Sequence, residues 1–319
     1  MAMTQTGTAS LDLVITGYEK LAYFSLRPEL FFDSVVEVGT TDLTNPGATV
    51  NFTIFNELTA ATSALGEATD VTPVTIDDAQ ITVTLAEYGN AVQTSAKLRA
   101  VAFMGVNPIV ANVLGFNAGV SVDAIARNAA QAGTNVRYSG ADGDRNDVDV
   151  EDTLTGNDVR RAVAELRGAN VGTYNGAYKG IIHPDISFDF RGATGGTNWS
   201  DPHVQSDPSG IYNGVIGSFQ GVSFMESARA PLFANAGDGL NSTGTIDVYG
   251  TLIMGRQALA KAYSTGGGYG ANPVFVDTPV TDALRRFEGM GWKHLIGYSV
   301  FRQAALRRIE SASSIGTNA

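Results

Sequence analysis

Two short stretches decide the fold: residues 49–55, TVNFTIF, and residues 76–85, IDDAQITVTL. In both, polar and apolar side chains alternate, which is the pattern of a β-strand with one buried face. Between them, from Ala60 to Asp70, the chain is small and polar. The two stretches therefore predict a long two-stranded loop. Because an isolated two-stranded ribbon is only marginally stable in water, this loop needs a further surface to lie on.

Acidic and basic residues are segregated along the chain. No Lys or Arg occurs from Pro28 to Ala96, although acidic residues are frequent there, whereas residues 284–308 are rich in Lys and Arg. Like charges repel over about 8 Å in physiological salt, so complementary charges are expected elsewhere in the chain or in another copy. A solvated acidic loop is the alternative that charge leaves open. We predict inter-subunit contacts that involve Glu67, Asp70, Asp77, Asp78, Arg302, Arg307 and Arg308.

The composition favours a folded protein that contacts other subunits. Of 319 residues, 44% are hydrophobic but only 17% are charged, below the usual value of about 25%. The net charge of −11 argues against sequence-specific DNA binding through a basic surface, but not against a container for DNA. The absence of cysteine excludes disulfides and thiolate metal sites, and favours assembly in a reducing compartment. Residues 1–10 show no signal-peptide pattern.

The rest of the chain predicts an α+β fold. Residues 1–45 form an irregular arm whose aromatic side chains, Tyr23, Phe24, Phe31 and Phe32, must be buried. Asn107-Pro108 is a good helix start, and the helix is expected to run to Gln131. The uncharged run from residue 100 to 122 is long enough to cross a membrane, but its Asn, Pro and Gly residues favour a buried helix of a soluble protein. Further predictions are a helix at 157–167, a strand at 177–183, a hairpin at 214–226, a strand at 246–254 and a short helix at 256–262.

Catalytic motifs are absent from the sequence. His183 lies in IIHPD, at a strand end before a proline turn, and is interpreted as a hydrogen-bonded structural residue. The glycine-rich run 266–270 lacks the Lys and Ser or Thr of a phosphate-binding loop. Asp142, Asp144 and Asn146 match the first positions of a calcium loop, but its glycine and final glutamate are missing. The sequence thus predicts no enzyme, no cofactor and no metal site.

Four motifs resemble the major capsid proteins of tailed bacteriophages with the Hong Kong 97-type fold, in particular the family of phage N-four. They are TVTLAEYGNAV at 82–92 with Thr94 and Lys97-Leu98, IIHPD at 181–185, GSFQGVSFMES at 217–227, and GWK at 291–293. They occur in the family's order and span most of residues 18–312. Each is weak alone, and their order makes the resemblance more specific.

The resemblance implies a division of the chain into an N-terminal arm (1–45), an extended loop (46–95), a peripheral domain with a long spine helix (96–152), an axial domain (153–275) and a return to the peripheral domain (276–319). It implies self-assembly into pentamers and hexamers of an icosahedral shell, with the extended loop lying across a neighbouring subunit. Expected partners are a portal, separate scaffolding or decoration proteins and packaged double-stranded DNA, but no membrane. The expected location is the virion capsid, assembled in the host bacterial cytoplasm.

The sequence departs from some relatives in two respects. Its extended loop has no lysine, so a covalent lysine–asparagine cross-link through that loop is chemically unavailable. Its N-terminal residues show no charged helical prefix, which disfavours a fused scaffolding segment. Two alternatives stay open: a nanocompartment shell that encloses a protein cargo, and a monomeric β-rich module that binds glycans.

Overall fold

The described part of the chain forms helices and three β-sheets, as the α+β prediction requires. The computed structural model describes residues 32–38, 47–55, 58–64, 67, 70–71, 73–102, 106–140, 143–192, 215–238, 245–278 and 282–315. Its helices are α1 (Phe32–Val35), α2 (Ala96–Val101), α3 (Val106–Gln131), α4 (Gly156–Gly168) and α5 (Pro184–Gly192). Its strands are β1 (Glu37–Val38), β2 (Thr49–Phe55), β3 (Asp78–Thr84), β4 (Ala86–Ser95), β5 (Val136–Tyr138), β6 (Tyr178–Ile182), β7 (Val215–Phe219), β8 (Val222–Glu226), β9 (Leu232–Asp238), β10 (Thr245–Met254), β11 (Leu259–Tyr263), β12 (Val274–Thr278), β13 (Phe287–Val300) and β14 (Leu306–Ser311).

The first sheet is organised by the long strand β13. On one side β13 pairs antiparallel with β4, and on the other with β12 and β11. The short strand β1 adds to β11 in parallel. The second sheet has the order β5-β14-β10-β6-β8-β7, with β9 paired to β10. The third sheet is the two-stranded ribbon of β2 and β3 that the alternating pattern predicts.

Helix α3 links the cores of the two larger sheets. Its 26 residues extend about 39 Å at 1.5 Å per residue. Leu114 and Ala118 pack on Trp292 of the first sheet, whereas Ala126 and Ala130 belong to the main core around the second sheet. The helix begins at Val106, two residues before Pro108, the predicted first helical position, and ends at the predicted Gln131.

The prediction that this helix is buried is correct for one face only. Val113 is 47% exposed, because α3 packs on the first sheet with one side and leaves the other side open. Residues 109–131 form a helix that is long and apolar enough to cross a membrane. Of its most apolar part, 28% is buried inside the protein.

Most of the remaining elements lie where their patterns predict them. Helix α4 buries Val159, Val163 and Leu166, and the hairpin of β7 and β8 turns at Gln220-Gly221, where both residues have positive φ. Phe32 is fully buried, as expected for an aromatic residue of the arm. Tyr23, Phe24 and Phe31 lie outside the described residues.

The predicted helix at 256–262 is wrong, because residues 259–263 form strand β11. The first four residues of β11 are all buried, because Leu259 packs in the main core on one face and Ala260 and Ala262 pack against the ribbon on the other. A strand that is buried on both faces does not alternate, so its apolar run cannot be distinguished from a helix by periodicity.

Candidate assembly surface

The base of the ribbon is fixed to the first sheet. Val50, Val83 and Leu85 form a small core with Ala260 and Ala262 of β11. Phe52 contacts the edge of Phe301 with ring centroids 6.0 Å apart. This apolar contact explains why a two-stranded ribbon keeps a defined position at its base.

The distal end of the ribbon has no such cover. Phe55 is 70% exposed, and the large apolar side chains of the segment beyond it are similarly exposed, namely Leu58, Val71, Val74 and Ile76. Several large apolar side chains exposed on one segment are typical of a site of protein contact. The distal ribbon is therefore the most prominent candidate for an inter-subunit contact.

The four predicted acidic residues all belong to this distal part. Glu67, Asp70, Asp77 and Asp78 are exposed, and none forms an ion pair with a described residue. The Asp70 carboxylate only accepts a hydrogen bond from the neighbouring Val71 N–H, at 2.8 Å. The structure thus brings the acids together with exposed apolar side chains and leaves their charge uncompensated along the described part of the ribbon.

Another acid of the lysine-free stretch finds its partner within the chain. The Asp33 carboxylate accepts hydrogen bonds from Lys261 Nζ at 2.8 Å and from the Tyr298 hydroxyl at 2.5 Å. Burial and the hydrogen bond to Asp33 raise the pKa of Tyr298. Next to Asp33, the Phe32 N–H donates to the buried Asp123 Oδ1 at 2.8 Å. These contacts hold α1 on α3 and the first sheet.

The three predicted arginines contact groups of their own chain. Arg302 Nη2 donates to the Ala169 carbonyl at 2.9 Å. Arg307 Nε lies 3.0 Å from Glu165 Oε2, an ion pair without a well-aligned hydrogen bond. Arg308 is 7% exposed and donates to Glu310 at 2.7 Å. Their contact with the acids of a neighbouring subunit stays a prediction. Each of the three arginines already contacts a partner within its own chain.

Glu310 is the centre of a buried ion cluster that the sequence did not indicate. Its carboxylate receives Arg145 Nε and Nη2, each at 2.7 Å, and Arg308 Nε at 2.7 Å. The Arg145 guanidinium also lies over the Phe233 ring, 3.5 Å from its centre. The hydrogen bonds that Arg145 donates to Glu310 raise the pKa of Arg145. The cluster ties the acidic segment 143–152 to β14.

The exposed face of α4 carries a second feature that sequence reasoning missed. Arg160, Arg161 and Arg167 are exposed on the side opposite the buried Val159 and Leu166. No described residue forms an ion pair with any of the three. The signal was present in the sequence, because the predicted apolar stripe of this helix already assigns these arginines to the opposite face.

The candidate residues for catalysis or metal binding either have structural roles or lie outside the described residues. His183 follows the end of β6, and its Nδ1 accepts a hydrogen bond from the Asp185 N–H at 3.3 Å, as predicted for a strand-end residue. Burial lowers the pKa of His183. Asp142 lies outside the described residues, and within them no group of three or more His, Asp or Glu side chains could hold a metal.

Solved phage capsids share this architecture. The capsid of Ralstonia phage GP4 superposes with a TM-score of 0.76 at 14% identity, over 94% of this chain and 95% of that chain. The capsid of cyanophage P-SCSP1u gives a TM-score of 0.67 at 17% identity, over 97% and 96%. That of cyanophage Pam1 gives 0.66 at 16% identity, over 99% and 100%. The chain therefore has the fold of these solved capsids, the Hong Kong 97-type fold.

The family follows from the sequence itself. The model of the phage capsid protein family matches residues 33–315, nearly the whole chain, so the chain belongs to that family. No curated protein has a sequence that matches significantly. The chain is thus a structural protein of the virion capsid that assembles with itself into a shell, and not an enzyme. This assignment replaces the alternative of a monomeric glycan-binding module.

Proposed function

We propose that the chain is the major capsid protein of a tailed phage, and that it forms pentamers and hexamers of an icosahedral shell around double-stranded DNA. The observation that carries this proposal is the distal ribbon, whose exposed Phe55, Val74 and Ile76 lie among carboxylates that form no ion pair with any described residue. A subunit that worked alone would leave this surface in water. In a shell, the ribbon of one subunit lies across its neighbour.

We propose that successive segments of the chain have different roles in the shell. Residues 1–45 are the arm, 46–95 the extended loop, 96–152 the peripheral domain with the spine helix, 153–275 the axial domain, and 276–319 the return to the peripheral domain. The α3 helix joins the cores of the two larger sheets and so supports a rigid body. The arm and the ribbon then accommodate the different angles between subunits in pentamers and hexamers.

The further partners we propose are a portal, packaged DNA and, where the phage encodes them, separate scaffolding or decoration proteins. Assembly takes place in the cytoplasm of the host bacterium. The net charge of −11 supports an inner wall that repels DNA, so that the shell encloses the DNA without sequence-specific contacts.

The test is a charge reversal at the ribbon, Asp77→Lys with Asp78→Lys. Because both side chains are exposed and make no described ion pair, the subunit fold should tolerate the change. We expect loss of closed shells in electron micrographs and sedimentation, with an unchanged melting temperature of the unassembled subunit.

A matched control carries the same charge change elsewhere: Asp147→Lys with Glu151→Lys, two exposed acids of the segment 143–152. The control should assemble. Normal shells from the ribbon variant would overturn the role of these acids, and loss of shells from both variants would reduce the effect to net charge. Sedimented particles that contain a protein cargo instead of DNA would identify a nanocompartment.

A further inference from the structure

The outer face of α4 is built as a basic surface. Its helix start is fixed by a capping box between Thr155 and Asp158, and its apolar stripe is buried in the main core. The positions that remain exposed hold Arg160, Arg161 and Arg167 together with small or neutral residues, namely Asn157, Ala164 and Gly168. The two acids of the helix lie off these positions, because Asp158 is buried in the capping box and Glu165 pairs with Arg137 and Arg307. We name these exposed positions the arginine face.

The arginine face differs from the other basic surface nearby. Arg137 and Arg307 are both ion-paired to Glu165, which neutralises part of their charge. The three arginines of the face have no such partner among the described residues. In a chain with a net charge of −11, three exposed and uncompensated guanidinium groups on one helix form a strong local site for an anionic partner.

The chain carries the complement of this face in its own ribbon. The four ribbon carboxylates, Glu67, Asp70, Asp77 and Asp78, are exposed and uncompensated in the described part, and residues 28–96 contain no Lys or Arg. The base of the ribbon packs on the first sheet, whereas α4 packs in the core of the second. Each subunit therefore offers one acidic and one basic surface. Two different surfaces on one chain give a head-to-tail contact, the type that closes into rings.

We infer that the carboxylates of the distal ribbon of one subunit bind the arginine face of the next copy. The inference rests on the proposed function, since it names the receiving surface for the ribbon. Guanidinium groups bind carboxylates through paired hydrogen bonds, which favours arginine over lysine at such a contact. The aliphatic stems of the arginines can also cover exposed apolar side chains such as Val74 and Ile76. The contact thus uses both properties of the ribbon.

Phosphate groups of packaged DNA are the other anions that this face could bind. The ribbon is the favoured partner because its exposed apolar side chains also become covered in the contact. DNA phosphates have no apolar surface to cover. The two partners give different experimental results: a ribbon contact controls assembly of the shell, whereas a phosphate contact controls only its nucleic-acid content.

The experiment places one cysteine on each surface of the cysteine-free chain, Asp77→Cys with Arg161→Cys. Side chains of aspartate and arginine in contact leave their backbones farther apart than a disulfide allows, so assembled particles are treated with a short bismaleimide. We expect a ladder of covalent multimers on a denaturing gel. The matched control, Asp77→Cys with Arg191→Cys, uses an exposed arginine of α5 and should give no ladder. Shells without the expected ladder would overturn the inference and leave the proposed function intact.

A charge exchange tests the same contact without cysteine. Arg160→Glu with Arg161→Glu should abolish shells, and adding Asp77→Arg with Asp78→Arg should restore them. Loss without restoration would overturn the inference, as would normal shells that merely contain less DNA. Failure of the unaltered protein to form shells with its phage's assembly proteins would instead refute the proposed function, so the two failures are distinguishable.

Discussion

Replacing Glu310 by alanine should destabilise the subunit strongly. Glu310 is fully buried and neutralises Arg145 and Arg308, with three nitrogen–oxygen distances of 2.7 Å. Removal of one member of a buried ion cluster costs about 3–5 kcal/mol, because the remaining charges stay without compensation. We expect the lower part of that range, since the Arg145 side chain is 29% exposed and can turn toward water. Arg308 also keeps its hydrogen bond to the Gly133 carbonyl.

Urea unfolding of the unassembled subunit measures this loss as a shift in the free energy of unfolding. Two comparisons define the cause. Lys97→Ala, at an exposed site, should change stability by less than about 0.5 kcal/mol. The triple variant Glu310→Leu, Arg145→Met and Arg308→Met removes all the charges together, and should recover much of the stability lost in Glu310→Ala. A loss below about 1 kcal/mol in Glu310→Ala, or no recovery in the triple variant, would refute the assignment of the cost to uncompensated charge.

Three further changes probe the contacts around the first sheet. Asn117→Ala leaves the Trp292 indole N–H, which donates to Asn117 at 3.0 Å, without its partner, and should cost about 1–3 kcal/mol in urea unfolding. Gly89→Ala would place a methyl group 2.6 Å from the Trp292 carbonyl oxygen and so push strands β4 and β13 apart. We expect faster amide hydrogen exchange in both strands. Unchanged exchange would contradict the close approach. Burial and the nearby Lys261 lower the pKa of His294, so the unfolded chain binds its proton more readily than the native chain and stability falls as the pH drops below about 6.5. His294→Leu should therefore reduce the loss of stability between pH 7 and pH 5, and an unchanged pH dependence would exclude His294 as its source.

The ribbon could be predicted from sequence because its two strands are covered on one face only. Val50 and Val83 are buried and their neighbours along the strands are exposed, so the alternation survives in the sequence. The strand β11 shows the opposite case, since burial on both faces removes the alternation. Local patterns therefore report how an element is covered, and they fail where it is covered on all sides.

The ion-pair partners of the charged residues could be predicted only in part. The sequence indicated that the acidic stretch and the basic segment need partners elsewhere, and Asp33 with Lys261 confirms this within one chain. It could not indicate that Arg307 pairs with Glu165 or that Arg308 pairs with Glu310, because these contacts arise only when β14 joins the second sheet. Likewise, only the fold shows that the exposed arginines of α4 have no ion-pair partner among the described residues.

The most direct test of the shell assignment is an electron cryomicroscopy reconstruction of particles formed by the unaltered protein, produced with the neighbouring proteins of its phage. We expect closed icosahedral shells of pentamers and hexamers, in which density for residues 58–78 of each ribbon lies on an adjacent subunit. Shells in which these residues contact only their own subunit would contradict the role of the ribbon, and a small monodisperse species without shells would contradict the assignment as a whole.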